Sequence, residues 1–233
     1  MAVSPLLDRL YVLALDERRG TVRISCRATL AIGLAGAALL ELLLSNRITA
    51  SGAELTAAGA GTSGDALLDE SLSWIAGQGP TDARRLVDGL SKPAGRWPGR
   101  IADRLTAAGV ARQETRSVLG PLGRREVVFV DARLRADVVQ TVRSVALTGA
   151  GSPADLALGT IAQATGALTP YLGREERRGA ADRLRALANG DLVAGSVRES
   201  VRAAEAAMAG AIAASIAASV AASAATTAAT SSA

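Results

Sequence analysis

Apolar residues run almost unbroken from Ala28 to Leu44, with Glu41 as the single charge inside and Arg27 and Arg47 at the ends. About 20 apolar residues are needed to cross a bilayer, and this run falls just short. A lone carboxylate at mid-membrane would also cost roughly 2.5–3.5 kcal/mol. The pattern therefore predicts the central helix of a sizeable core over residues 28–45, with a membrane span as the alternative. Its Gly33-Leu34-Ala35-Gly36 segment offers a small face that another helix can approach closely. Past Asn46, the stretches Arg47–Ala50 and Ala53–Thr56 alternate about a Ser51-Gly52 turn, which predicts a β-hairpin over 47–56.

The flanking pattern is helical. Ser4-Pro5 reads as a helix start, and Leu6, Leu7, Leu10, Leu13 and Ala14 form one stripe, so a helix is expected over 6–15. It ends in the charged turn Asp16–Gly20, and Val22–Ile24 reads as an extended connection. Leu67, Leu68, Leu72 and Ile75 predict a helix over 65–76. Thr81-Asp82 caps the next, running to about Leu90, and Ser91–Pro98 reads as a loop. Arg100–Ala108 is a further helix closed by Gly109. From Val110 to Val130 the character changes to a second hairpin over 112–130, whose tip is Leu119-Gly120-Pro121-Leu122-Gly123. Helices return over 133–147 and 153–166, and a charged one lies within Tyr171–Ala188, stopped by Asn189-Gly190. A last helix starts near Asp191. Its stripe of Val197, Val201, Met208, Ile212, Ile216 and Val220 fades into an Ala/Ser/Thr-rich end. The expectation is a mainly α fold: a compact multi-helix bundle around the central apolar helix, with two β-hairpins. One domain spans 1–222, and 223–233 is a frayed tail.

Composition narrows the chemistry. Aromatics are only 2% of the chain, so the core must come from Leu, Val, Ile and Ala. Histidine is absent and Cys26 is the single cysteine. No Ser-His-Asp or Cys-His unit can form within one chain, nor a zinc site of the usual Cys/His type. Catalysis, a metal site and a cofactor are therefore not expected. One thiol permits no internal disulfide, and Met1–Leu15 lacks a basic start and a cleavage pattern, so a cytoplasmic location is expected. Net charge is a modest +4, and 25 of the 26 basic residues are Arg, Lys92 being the exception.

Three segments carry a resemblance: LDRLYVLALDERRG ending at Gly20, Gly33–Arg47 (GLAGAALLELLLSNR) and Gly64–Ile75 (GDALLDESLSWI). With the spacing from Arg104-Leu105 to Gly109-Val110, they resemble the Golgi phosphoprotein 3 family. The resemblance implies a helical domain on a membrane surface, binding phosphatidylinositol 4-phosphate and acting as an adaptor that retains membrane enzymes through their tails. The family pocket uses a Trp before the Gly-Leu-x-Gly block, an Arg at x and two Args three apart on a later helix. Here those positions fall at or near Cys26, at Ala35, and at Gly95 and Pro98, so the family's head-group residues do not carry over. The family also has an apolar hairpin tip that dips into the bilayer; in this chain Val118, Leu119, Pro121 and Leu122 form an apolar tip on the second hairpin, read either as membrane-inserting or as a contact with another subunit.

From the residues themselves, Arg23, Arg27, Arg96 and Arg100, with Arg104 near, form a candidate head-group site if their helices pack together. Arg suits bidentate phosphate recognition. Trp97 either seats at a lipid interface or anchors the core. At the second hairpin, Arg112, Arg116, Arg124 and Arg125 outnumber Glu114 and Glu126 by two. Each excess basic residue near an anionic surface contributes about 1 kcal/mol. With partial burial of Leu119 and Leu122 the total is about 4–5 kcal/mol, which is dissociation near a millimolar. The hairpin alone would hold weakly, so a second contact is needed. The expected partner is an anionic phospholipid surface on the inner face of the membrane, with membrane-enzyme tails and a second copy of the chain as further partners. Two rival readings stand beside it. Helix, helix and hairpin from Leu6 to Thr56 is also winged-helix order, although the central helix offers base edges only Glu41, so nucleic acid is the weaker partner. A homo-oligomeric interaction module without lipid specificity is the other. Cys26 at a helix start reads either as an activated thiol or as a small buried hydrophobe.

Overall fold

A computed structural model of the chain describes residues 5–51, 54–59, 61–117, 123–129 and 131–188. Helix α2 (Leu30–Leu44) is the hub, and every residue of it is buried except Ala31, Glu41 and Leu44. Around it pack α1 (Leu6–Ala14), α3 (Ala66–Ala76), α4 (Ala83–Ala94) and α7 (Pro153–Ala164). A helix apolar on all sides belongs inside a bundle or a membrane, and here other helices of the bundle surround it. Gly33 is why α1 and α7 come so close, since a Cβ there would collide with Thr165 Cγ2 and press on Leu10 Cδ2 at 3.2 Å. The small face thus serves as expected. Apart from partly buried Ala31, Glu41 and Leu44, α2 turns no side chain outward. Among the described residues, no helix is long and apolar enough to cross a membrane.

Glu41 has a specific task in this apolar helix. Pro5 supplies no side-chain cap to α1, and Glu41 Oε2 instead accepts the Leu6 backbone N–H at 2.8 Å. A carboxylate at a helix N-terminus is favoured by the exposed N–H groups. A second charged knot ties three helix ends. Arg104, on α5 (Trp97–Ala107), bonds both Asp8 of α1 and Asp65, the N-cap of α3.

The first hairpin forms as expected from β3 (Ile48–Ser51) and β4 (Glu54–Ala57), pairing Ile48 with Ala57 and Ser51 with Glu54. A third strand was not foreseen: β5 (Thr81–Asp82) pairs with β4 before Asp82 caps α4 by accepting the Arg85 N–H at 3.0 Å. The expected loop over 91–98 is mostly helix. Ala94 continues the buried stripe of Leu86, Val87 and Leu90, and that burial outweighs the one hydrogen bond Pro93 cannot donate. Pro98 likewise lies in the first turn of α5, where no N–H bond is required. Gly109, at φ +71°, closes α5 as the sequence indicated.

The expected connection over 22–24 is more structured than an extended link. Strands β1 (Leu15–Asp16) and β2 (Thr21–Val22) pair antiparallel, and one 3-10 turn, Ile24–Cys26, follows. The second hairpin is β6 (Ala111–Ser117) with β7 (Gly123–Phe129), in register from Ala111–Phe129 to Ser117–Gly123. Its base is pinned to the first turn, because the Val127 N–H donates to Gly20 O at 2.7 Å. Gly20 sits at φ +58°, and a Cβ there would lie 2.8 Å from Val127 N and O. Helices α6 (Ala132–Thr148) and α8 (Arg174–Ala188) complete the second half against α7, which opens with a Ser152/Asp155 capping box. The hairpin tip Val118, Leu119, Pro121 and Leu122, the Asn189-Gly190 stop, the helix expected from Asp191 and the tail 223–233 lie outside the described residues.

Candidate functional site

The site grows from the segment between α1 and α2. Asp16 organises its turn: Oδ1 accepts the backbone N–H groups of Arg18 and Arg19 at 3.0 and 3.1 Å, and Gly20 N donates to Asp16 O at 2.8 Å. These N–H bonds hold the Asp16 carboxyl below the usual carboxylate range, so it stays ionised. The chain is then fixed at Arg23, whose N–H donates to Ala14 O at 2.9 Å. Thr29 fixes the other end, its hydroxyl donating to Thr165 O at 2.8 Å. Between these anchors the backbone folds over fully buried Cys26.

That rigid segment frames an open pocket of about 320 Å³, lined by Asp16, Arg19, Thr21, Val22, Arg23, Ile24, Ser25, Arg27 and Pro170. Three guanidiniums against one carboxylate leave two positive charges in excess. Arg23 is positioned from behind: its guanidinium lies 5.5 Å from the Tyr171 ring centroid and 3.6 Å from Asp16 Oδ2. Tyr171 is held in turn, donating to Leu13 O at 3.1 Å and accepting from Arg135 Nη2 at 3.2 Å. Arg23 Nε is buried and has no hydrogen-bond partner among the described residues. Arg27 Nε donates to Val22 O at 3.4 Å. Arg19 and Arg27 are both exposed. Cations held at a surface without tight carboxylate partners are available to an anion.

Of the residues singled out from sequence, Arg23 and Arg27 come together here, and Arg96, Trp97 and Arg100 do not line the pocket. Trp97 is 2% exposed, an anchor of the core and not a lipid-interface side chain. Its spacing with Ile101 and Leu105 puts all three on one buried stripe. Arg100 is occupied by Glu70, donating to both carboxylate oxygens at 2.6 and 2.7 Å. Arg96 is exposed at the N-cap of α5. Arg19 was missed by sequence reasoning. The signal was the tight DERRG turn, where an Asp accepting successive N–H groups and a positive-φ Gly throw Arg19 outward.

Ala35 and Cys26 are both fully buried, and burial pushes the Cys26 thiol upward, which is the inert reading of that cysteine. At the second hairpin, exposed Arg112 pairs with Glu114 at 2.7 Å. Register sets Glu114 opposite Glu126, Thr115 opposite Arg125 and Arg116 opposite Arg124. No group of His, Cys, Asp and Glu that could hold a metal occurs among the described residues. A shallow depression over α3, lined by Asp69, Glu70, Ser73 and Trp74, has its carboxylates engaged by Ser63 and Arg100.

No curated protein matches the sequence. The Golgi phosphoprotein 3 (GPP34) family model matches residues 6–204, a span that holds the pocket, the central helix and both hairpins. The chain belongs to the Golgi phosphoprotein 3 family.

Proposed function

We propose that the protein is a peripheral membrane-binding protein that recognises anionic phospholipid head groups through Arg19, Arg23 and Arg27. The observation that carries this reading is three guanidiniums on one open pocket, on backbone fixed at both ends. Arg presents a planar fork that matches phosphate oxygens two at a time. Thr21 and Ser25 line the same pocket. Because Arg23 is already braced by Tyr171 and Asp16, little side-chain freedom is lost on binding.

Family membership supports a membrane-surface role, and phosphatidylinositol 4-phosphate is the family's head group. Discrimination of that lipid is expected to be poor here. Ala35 carries no charge, Gly95 and Pro98 supply no arginine, and the excess of two charges lies at a different set of side chains. Binding then follows the surface charge of the inner leaflet, to which each basic residue contributes about 1 kcal/mol. An adaptor role toward the tails of membrane enzymes accompanies this reading, with no catalysis by the protein itself.

Co-sedimentation with phosphatidylserine-containing and with purely zwitterionic vesicles tests it. The expected result is binding to the anionic vesicles alone, weakened by salt, and reduced about tenfold or more in an Arg19→Ala, Arg27→Ala double variant. Equal binding to both vesicle types, or an unaffected double variant, would overturn the assignment. Isomer-selective capture of phosphatidylinositol 4-phosphate would show that other residues build a specific pocket.

A further inference from the structure

Ile24 is 70% exposed, the large apolar side chain left outside the core among the described residues. A stray surface isoleucine is ordinary, but this one is held out by construction. It opens the 3-10 turn Ile24–Cys26, in which Cys26 N donates to Arg23 O at 3.0 Å and Arg27 N to Ile24 O at 3.3 Å. The next side chain but one, Cys26, is fully buried. The turn therefore cannot roll inward to hide Ile24 without expelling Cys26 and breaking the Thr29–Thr165 bond. Arg23 precedes it by one residue and Arg27 follows it by three, and all three line the same pocket with Arg19.

We propose that Ile24 is a membrane-inserting residue, entering the apolar boundary of the bilayer while Arg19, Arg23 and Arg27 hold the head groups around it. The proposal rests on the anionic-lipid reading above and adds to it a second, apolar contact in a described part of the chain. An apolar side chain ringed by cations matches the order of a bilayer surface, where the anionic layer lies directly over the hydrocarbon. A second copy of the chain fits worse. Two-fold pairing through this patch would set the same arginines against one another, and like charges facing each other are costly. One isoleucine is also far from the roughly 1,200–2,000 Å² that a stable protein interface buries.

The head-group and insertion contributions separate by their dependence on salt. An Ile24→Ser variant of the full chain should lower partitioning onto phosphatidylserine-containing vesicles about tenfold while keeping the wild-type salt dependence. The Arg19→Ala, Arg27→Ala variant should flatten the salt dependence instead. An Ile24→Trp variant should show new fluorescence that shifts to the blue on those vesicles and is quenched by lipids brominated on the acyl chain. The wild type, with Trp74 and Trp97 only, supplies the background. If the wild type binds and Ile24→Ser binds equally with no acyl-chain quenching, insertion is wrong and the head-group reading stands. If the wild type binds no anionic vesicle, both fall. A blue shift that grows with protein concentration in the absence of vesicles would assign residue 24 to a contact between copies and overturn insertion.

Discussion

Glu41 shows what a single residue can reveal and conceal. Its place in an apolar run marks it as exceptional, but its partner, the Leu6 N–H, lies 35 residues away and could not be read from the pattern. Burial pushes its carboxyl up to about 7, with Asp65 and Asp8 adding to the rise and the Leu6 and Leu7 N–H groups opposing it. The folded state therefore binds this proton more tightly than the unfolded chain, whose glutamate titrates near 4.5. Stability linked to it is full below about pH 4.5 and is lost as pH rises through about 7. A Glu41→Gln variant keeps an acceptor oxygen for Leu6 and removes the charge. Its unfolding free energy in urea should lie close to the wild type's near pH 5 and exceed it near pH 8 by about 1–2 kcal/mol. A variant less stable than wild type at both pH values would show that the charge at the α1 terminus outweighs its burial.

Between elements, the closeness of α2 to α7 depends on Gly33. In an isolated helix Gly→Ala gains about 1 kcal/mol. Here the new methyl meets Thr165 Cγ2, which cannot rotate away freely because Thr165 Oγ1 donates to Ile161 O at 2.8 Å. Gly33→Ala should therefore destabilise the protein by about 1–3 kcal/mol, the usual cost of overpacking. Adding Thr165→Ser, which deletes that methyl and keeps the hydroxyl, should recover most of the loss; thermal unfolding of the three variants measures the coupling. If Gly33→Ala is as stable as the wild type, the packing is looser than the geometry indicates. Elements of this kind were largely legible. Unbroken or strictly spaced apolar runs gave α1, α2, α3, α6 and α7 to within a few residues, and turn residues gave both hairpins. Two kinds of feature escaped: the two-residue strands β1, β2 and β5, and the helical course through Pro93 and Pro98. Strands of two residues carry no periodicity, and a proline's meaning depends on where in a helix it falls.

In the whole molecule, the same division explains which site residues could be read. Arg23 and Arg27 are close in sequence on one local turn, so they share a pocket whatever the tertiary packing. Adding Arg96, Trp97 and Arg100 required the rotation of α5 about its axis. That rotation is fixed by the stripe of Trp97, Ile101 and Leu105, which faces the core and sends Arg100 to Glu70 on α3. It also sends Arg104 between Asp8 and Asp65, and this knot joins α1, α3 and α5 across nearly a hundred residues. Asp8 is 5% exposed, and burial raises its pKa in spite of the adjacent guanidinium. Removing the cation leaves two poorly solvated carboxylates near Glu41 without compensation, so Arg104→Leu should cost about 3 kcal/mol or more. Adding Asp8→Asn should return part of that loss, because the charge most deeply buried is then gone. Arg104 lines no part of the arginine pocket, so whatever fraction remains folded should bind anionic vesicles as the wild type does. Urea unfolding and vesicle sedimentation on the same samples check both halves. An Arg104→Leu protein with an unchanged midpoint would mean that the two aspartates take up protons as readily as they held the arginine, and that the knot serves the spacing of the helices more than their stability.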